Sequence, residues 1–571
     1  MSVATFSWFD YLLFILMLTS SALVGVYYGF FQKQNTAQDY LLGGKRMSTW
    51  PITLSIISST LSGFTLLSVP ADIYTYGITY GLIVFASIPM VLASYFFFLP
   101  VFYKLQITSV YEYLGIRFNN KVRIFGSILY AIYMILFLPI VIYIPALALG
   151  QVTNLNVHLI TPIVCSICVF YTTIGGMKAV VWTDAIQFGV MLGSMLVVIG
   201  IGLWKEGGLQ AVLENSSQGG RLDISFDFDF FKRNTFWAMV VGQAFHQMSY
   251  FSVSQGPVQK FMSLPSFRTI KITLFLAVIG ISVIVCLSVL SGLLMYSYYK
   301  TCDPLTANII KTNDQILPRY VMEQVSFIPG LCGLFISGIF SAGLSTLSAI
   351  LNCLAATLYE DFISPFVRKD TSQERISQYL KLIVVILGIT STALVYVVEK
   401  LGGLVALTLS LAGVTTGPIL GLFCLGMLLP QVTAKGALAG GIVSLASMVW
   451  ITMTSQWYKT RGILIDPILP VSTDGCNYTA LNIVNDTLRS IIKTPVIDEP
   501  LAIYQVSFYW YAAMGFTICV IVGLLISCFT EEDKPLNADC ISPVMQFLVI
   551  DNPPPRYEEV AASKKLNITA L

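Results

Sequence analysis

The sequence predicts an all-α polytopic membrane protein with about thirteen transmembrane helices, and three observations carry that reading. Only 11% of the 571 residues are charged while 56% are hydrophobic, and the mean hydropathy is +0.77; soluble domains carry about 25% charged residues. Apolar runs of about 20 residues, enough to cross a bilayer, recur along the chain. Two of them are interrupted at mid-depth by hydroxyls, amides and glycine, which a lipid-facing helix does not tolerate. A net charge of +2, spread over the loops in both signs, gives no indication of nucleic-acid binding. No polar stretch is long enough for a soluble domain.

Thirteen span-length segments are read at about 8–30, 52–75, 82–103, 124–149, 157–175, 179–204, 236–257, 271–298, 328–357, 379–398, 403–429, 436–457 and 505–529. The first lacks a basic flank and a cleavage site, so it is expected to be a span and not a signal peptide. An odd count puts the termini on opposite sides, and Lys and Arg, enriched in cytoplasmic loops, decide which. Lys33, Lys45 and Arg46, then Lys104, Arg117, Lys121 and Arg123, then Arg268 and Lys271, then Arg368, Lys369, Arg375 and Lys381 fall on alternate connections. The opposite turns 76–81 and 150–156 hold none. The N-terminus is therefore expected outside and the C-terminus inside. The glycosylation acceptors Asn215, Asn477 and Asn485 fall outside on this count, whereas Asn567 lies in the cytoplasmic tail and should be inert.

Span 2 contains residues 55–70, SIISSTLSGFTLLSVP. Its centre, from Ser58 to Gly63, loosens the helical ladder and frees carbonyls that need a protein partner or a cavity. Span 7 contains residues 237–257, WAMVVGQAFHQMSYFSVSQGP, with Gln243, His246, Gln247, Ser249, Ser252, Ser254 and Gln255 ahead of Gly256 and Pro257. A polar face packed on neighbouring helices would also account for it. Yet it follows the first broken span by five, which fits two five-helix units in an inverted repeat, the architecture of many secondary transporters. The expected organisation is a first span and loop over 1–51, a first repeat over 52–204, an extracellular loop over 205–235, a second repeat over 236–429, two added spans over 430–530 and a cytoplasmic tail over 531–571.

Most of the eleven cysteines lie in apolar runs and read as small core residues. Cys165 and Cys168 have redox or zinc spacing but sit in mid-span with no second pair. Cys302 and Cys476 fall in outer loops where a disulfide is allowed, though spacing does not decide it. His158 and His246 are far apart, and no enzyme constellation is found.

Residues 173–187, TIGGMKAVVWTDAIQ, resemble the signature region of the sodium/solute symporter family. YEYLGIRF at 111–118, IYIPALAL at 142–149 and QGPVQK at 255–260 agree with it, and the combination is similar to the branch of monocarboxylate, multivitamin and iodide transporters. The resemblance spans nearly the whole chain and implies a LeuT-like fold with sodium-driven uptake. It also implies a sodium site made of the Ser58 and Leu61 carbonyls of span 2 with the Ala342 carbonyl and the Ser345 and Thr346 hydroxyls of span 9. Oxygen ligands suit a hard cation. Close packing of small residues between membrane helices is the alternative for the same stretch.

Asp184 is a carboxylate inside a span-like segment, a placement that costs about 2.5–3.5 kcal/mol at the bilayer centre on insertion scales and marks function by default. The resemblance implies a second cation site or a gating role; a helix-end pairing with Lys178 is the alternative. Thr65, Tyr143, Gln247 and Thr416 are the expected cavity residues. Gln247 replaces an aromatic residue of related transporters, Thr65 replaces a glutamine, and Lys260 stands where the family usually has Arg, so the solute stays open. No Lys or Arg is expected clearly within the cavity, so an anion would lean on helix N-termini exposed by the breaks.

The expected activity is therefore sodium-coupled import of a small organic anion, monocarboxylate-like or vitamin-like, across the plasma membrane by alternating access, with Na+ as coupling ion. Iodide or another inorganic anion, or a neutral solute, is the alternative cargo. A channel would need a continuous polar pore, and a non-transporting sensor would use the tail. In that tail Pro554, Pro555 and Tyr557 match the Pro-Pro-x-Tyr ligand of WW domains, which implies ubiquitin ligases as partners. The last residues, from Thr569 to Leu571, resemble a PDZ-binding end.

Overall fold

The computed structural model describes residues 6–32, 36–153, 155–368, 370–401, 404–476, 500–531 and 536–547. Asn477, Asn485, Pro554, Pro555 and Tyr557 lie outside them. The described residues form helices, with no strand among them.

Span 1, Trp8–Val26, continues into a π turn, Tyr27–Phe31. Asp10 takes the Ser7 N–H and hydroxyl at 2.7 and 2.6 Å, and its other oxygen takes the Gly333 N–H at 2.7 Å, which pins span 1 to the start of span 9. Span 2 is two helices, Thr49–Thr60 and Gly63–Tyr76, bent by 53°. Span 3 runs from Ile78 to Leu105 and span 4 is Asn120–Thr153. Spans 5 and 6 make one helical stretch, Val157–Lys205, joined at Gly176, where φ is +50° and a side chain would be strained. Span 7 alternates π and α turns (Ala238–Gly242, Gln243–Met248, Ser249–Val253), leaves helical geometry at Ser254, and resumes over Gln255–Met262. Phe267–Tyr299, Leu331–Leu358, Gln373–Leu401, Leu404–Leu428, Ala434–Thr460 and Tyr511–Ser527 are spans 8 to 13.

By length and apolarity ten described helices can cross a bilayer, eleven with the bent span 2. The two halves of Val157–Lys205 and the interrupted span 7 bring the count to the thirteen read from the sequence.

Span 9 is the axis of the bundle, with 89% of its apolar window buried. Its small residues let neighbours come within backbone distance: a Cβ on Gly333 would lie 2.3 Å from Asp10 Cα, and one on Gly338 2.1 Å from Ser194 Oγ. At one end of the bundle Cys302 and Cys476 form a disulfide. Around it, Gly475 donates to Thr301 O at 2.8 Å, Asp303 N to Ser472 O at 2.9 Å, and Tyr74 OH to Asp303 at 2.6 Å. Asn215 lies in the helix Leu209–Gln218, where its amide donates to Ser297 Oγ at 2.8 Å and accepts from Lys300 at 3.0 Å.

At the opposite end, Arg117 of the YEYLGIRF stretch donates to the Gly426, Pro430 and Val432 carbonyls at 3.0–3.1 Å, satisfying the free end of span 11. The start of the tail docks beside it. Tyr113 OH donates to Cys540 O at 3.0 Å, Ser542 N to Met427 O at 2.9 Å, and Lys104 pairs with Asp539 at 2.7 Å.

Candidate functional site

The break in span 2 is where two helix ends face each other. The Leu61 N–H still reaches Ile57 O at 3.2 Å, but Leu61 itself is extended (φ −97°, ψ 92°). Ser62 then caps the second half, accepting from the Thr65 N–H at 3.4 Å. The last carbonyls of one half and the first N–H groups of the other lack helical partners. A partial negative pole and a partial positive pole therefore meet at mid-depth. A cation and an anion can be served side by side.

Span 9 lies against the first of these ends. Thr346 Oγ1 sits 3.2 Å from the Ser59 carbonyl and 3.0 Å from the Ala342 carbonyl, one proton between two acceptors. Nearby, the buried hydroxyls of Ser58 and Ser341 have no hydrogen-bond partner among the described residues, and that of Ser345 is turned to the Asp184 carboxyl. Buried polar atoms are nearly always satisfied. Unsatisfied hydroxyls beside carbonyl oxygens are the donor set that a sodium ion would satisfy. Of the five residues expected at this site, Ala342 and Thr346 are joined directly, and Ser58 and Ser345 are buried on the two facing helices. Leu61 lies at the turn itself. The carbonyl that meets Thr346 belongs to Ser59, one residue beyond Ser58.

Asp184 stands behind this site, fully buried. It does not pair with Lys178. Its Oδ2 takes Ser55 Oγ at 2.6 Å and Lys260 Nζ at 3.1 Å, and its Oδ1 takes Ser348 Oγ at 3.4 Å. Lys260 comes from the helix after the span 7 break and also donates to Ser55 O at 3.0 Å and Ser59 Oγ at 2.8 Å. All three ammonium protons are thus used, two of them on the last two turns before the span 2 break. Lys260 was noted as standing where related transporters usually have Arg, but its pairing with Asp184, and the part of Ser55, were not foreseen.

A cavity of about 460 Å³ opens above the break, with Ser59, Leu61, Ser62 and Thr346 at its base. Thr65 and Gln247 line it, and Gln247 Nε2 donates to Ile83 O at 3.2 Å. Tyr143 and Thr416 are not among its lining residues. Thr416 gives its hydroxyl to Ala412 O at 2.8 Å, and its carbonyl takes Ser249 Oγ at 2.8 Å, so it serves the contact between spans 7 and 11. The walls are aromatic, with Tyr130, Tyr133, Tyr250 and Tyr509.

The expectation of a cavity without basic residues is corrected: Lys260 lines it beside the break and Arg233 lines it at the far end of Gly63–Tyr76, against Asp72. Arg233 bridges Asp72 at 2.5 Å and Asp466 at 3.1 Å and lies 4.1 Å over the Tyr76 ring. Burial alone would weaken its hold on the proton; Asp72, with Tyr509, Tyr76 and Asp466, reverses that and raises it above the usual arginine range. Both cations already hold carboxylates, so the positive pole at Gly63 is left for an anion.

A sequence profile of the sodium:solute symporter family matches residues 40–444. The chain is 38% identical over 537 residues to sodium-coupled monocarboxylate transporter 1 of Xenopus laevis, covering 92% of this chain and 86% of that one. It is 33% identical to a putative sodium-dependent multivitamin transporter of Drosophila melanogaster, covering 92% and 87%. Among solved structures it matches a sodium-coupled sialic acid symporter in a substrate-bound outward-open state, with TM-score 0.76, 25% identity, and 93% and 100% coverage.

Proposed function

Because the chain belongs to the sodium:solute symporter family and is therefore a sodium-coupled solute carrier and not an enzyme, we propose that it imports a small organic anion of the monocarboxylate or vitamin type by alternating access. The observation that carries this reading is the junction at the span 2 break. Carbonyls at the end of Thr49–Thr60 and the Thr346 hydroxyl favour a cation, while the start of Gly63–Tyr76 favours an anion within the same cavity. The relatives named as monocarboxylate and multivitamin transporters support an organic anion as the cargo.

Energetics fit the pairing. A monoanion entering against about −60 mV meets roughly 1.4 kcal/mol, since 100 mV is worth about 2.3 kcal/mol per charge. One sodium ion cancels that penalty, and a second makes import electrogenic. The Lys260–Asp184 pair holds the turn from Ser55 to Ser59 in place while the ion binds in front of it. The distribution of Lys and Arg supports a plasma-membrane orientation with the N-terminus outside, and Pro554, Pro555 and Tyr557 would recruit a WW-domain partner inside.

Uptake of labelled lactate, nicotinate, biotin and pantothenate by expressing oocytes, in sodium and in choline medium, tests the reading. At least one of these anions should enter only with sodium. If none of them enters or competes while iodide or a neutral solute does, the organic-anion assignment is wrong.

A further inference from the structure

The cavity wall carries a carboxylate that neither the break nor Arg233 uses. Asp314 sits on the short turn Asn313–Gln315, in the connection between spans 8 and 9, and lines the cavity. Its Oδ1 accepts from Ser68 Oγ at 2.9 Å. Among the described residues no lysine or arginine pairs with it, whereas Asp184 has Lys260, Asp72 has Arg233 and Asp361 has Arg123.

A carboxylate withdrawn from water is costly unless a positive charge meets it. Burial pushes the Asp314 carboxyl above its ordinary range, and the Ser68 hydrogen bond only partly opposes this. Ser68 belongs to the outer half of span 2. Thr65 lies three residues before it and Asp72 four after, spacings that share one helix face, and all three line the cavity. Thr65 Oγ1 is in turn 3.5 Å from Ser62 Oγ at the break. A strip of oxygen atoms thus runs from Asp314 down to the point where Ser59 meets Thr346.

We propose that Asp314 and the Ser68 hydroxyl form an outer binding site for a sodium ion, from which the ion descends past Thr65 and Ser62 to the break. The proposal rests on sodium coupling as the function of the chain. Oxygen ligands of this kind suit a hard monovalent cation, and a site in the open cavity gives the ion a staging point before it loses its remaining water.

The test uses the full-length chain in two measurements: sodium-dependent uptake by oocytes, and binding of ²²Na⁺ to purified protein in nanodiscs. D314N should raise the sodium concentration for half-maximal uptake about tenfold, the scale of one lost charged ligand. The half-saturating solute concentration at saturating sodium should not change. D314E should stay within about threefold of wild type, and S68A, which removes only the hydroxyl, should shift it by about threefold. In a T346A background one sodium that depends on Asp314 should still bind. Unchanged sodium half-saturation together with unchanged ²²Na⁺ binding in D314N would overturn the proposal. So would a D314N phenotype confined to which solutes compete, since Asp314 would then meet an ammonium group of the solute. Equal wild-type uptake in sodium and choline would point to a failure of sodium coupling itself, apart from Asp314.

Discussion

Removing one member of the Lys260–Asp184 pair should do more damage than removing both. Asp184 is fully buried and Lys260 is 3% exposed, so neither can turn to water when its partner goes. In Lys260→Met the carboxylate keeps neutral hydroxyls alone, from Ser55, Ser345 and Ser348. In Asp184→Leu the ammonium keeps only Ser55 O and Ser59 Oγ. A buried charge left without its counter-charge typically costs about 3–5 kcal/mol, whereas exchanging the whole pair for apolar side chains is often neutral. Each single variant is therefore expected to lose about 3–5 kcal/mol and the double variant to lie within about 2 kcal/mol of wild type. Unfolding of purified protein by SDS titration measures this directly. Uptake should not return with stability in the double variant, because Lys260 also holds the turn that presents Ser59 to Thr346. Single losses below about 1 kcal/mol, or losses that simply add in the double variant, would refute the argument.

Three further outcomes are expected. Thr346→Ala should raise the half-saturating sodium concentration about tenfold or more, equivalent to about 1.4 kcal/mol, while Thr346→Ser stays near wild type; sodium titration of uptake distinguishes them. Thr65→Ala and Gln247→Ala should shift the half-saturating solute concentration at fixed saturating sodium, and Tyr143→Phe should not; competition curves in the same cells show which. Cys302→Ser, Cys476→Ser and the double variant should lose the same amount of surface-expressed protein. Loss of a native disulfide costs about 2–5 kcal/mol, and the second substitution removes nothing more, which cell-surface biotinylation can score.

The span count and the position of the first break were legible because hydropathy and the run from Ser58 to Gly63 are local signals. The thirteen spans hold, although Val157–Lys205 is continuous through its joint and span 7 breaks only at Ser254, near the end of its polar stretch. The site was legible in part. Ala342 and Thr346 were placed by resemblance, and the structure adds the Ser59 carbonyl. Neighbouring carbonyls such as those of Ser58 and Ser59 differ by a rotation of about 100° around a helix, finer than hydropathy can resolve. The same limit separates Thr65 and Gln247, which line the cavity, from Tyr143 and Thr416, which do not. Lys260 with Asp184, 76 residues apart, and Arg233 with Asp72, 161 apart, pair only through the fold. Arg233 was assigned to a loop, and nothing in the loop sequence says that the loop dips into the cavity.

The Cys302–Cys476 disulfide has a mechanical consequence. Cys302 begins the connection that leads to Asp314, Cys476 lies in the connection between spans 12 and 13, and Asp303 ties both to Tyr74 near the tip of Gly63–Tyr76. Three stretches distant in sequence are thus stitched together at one point. The half-helix Gly63–Tyr76 is therefore not free to shift alone: a displacement at Tyr74 is passed on to both of the other stretches. Reducing that one bond would loosen the tie without altering any residue at the span 2 break.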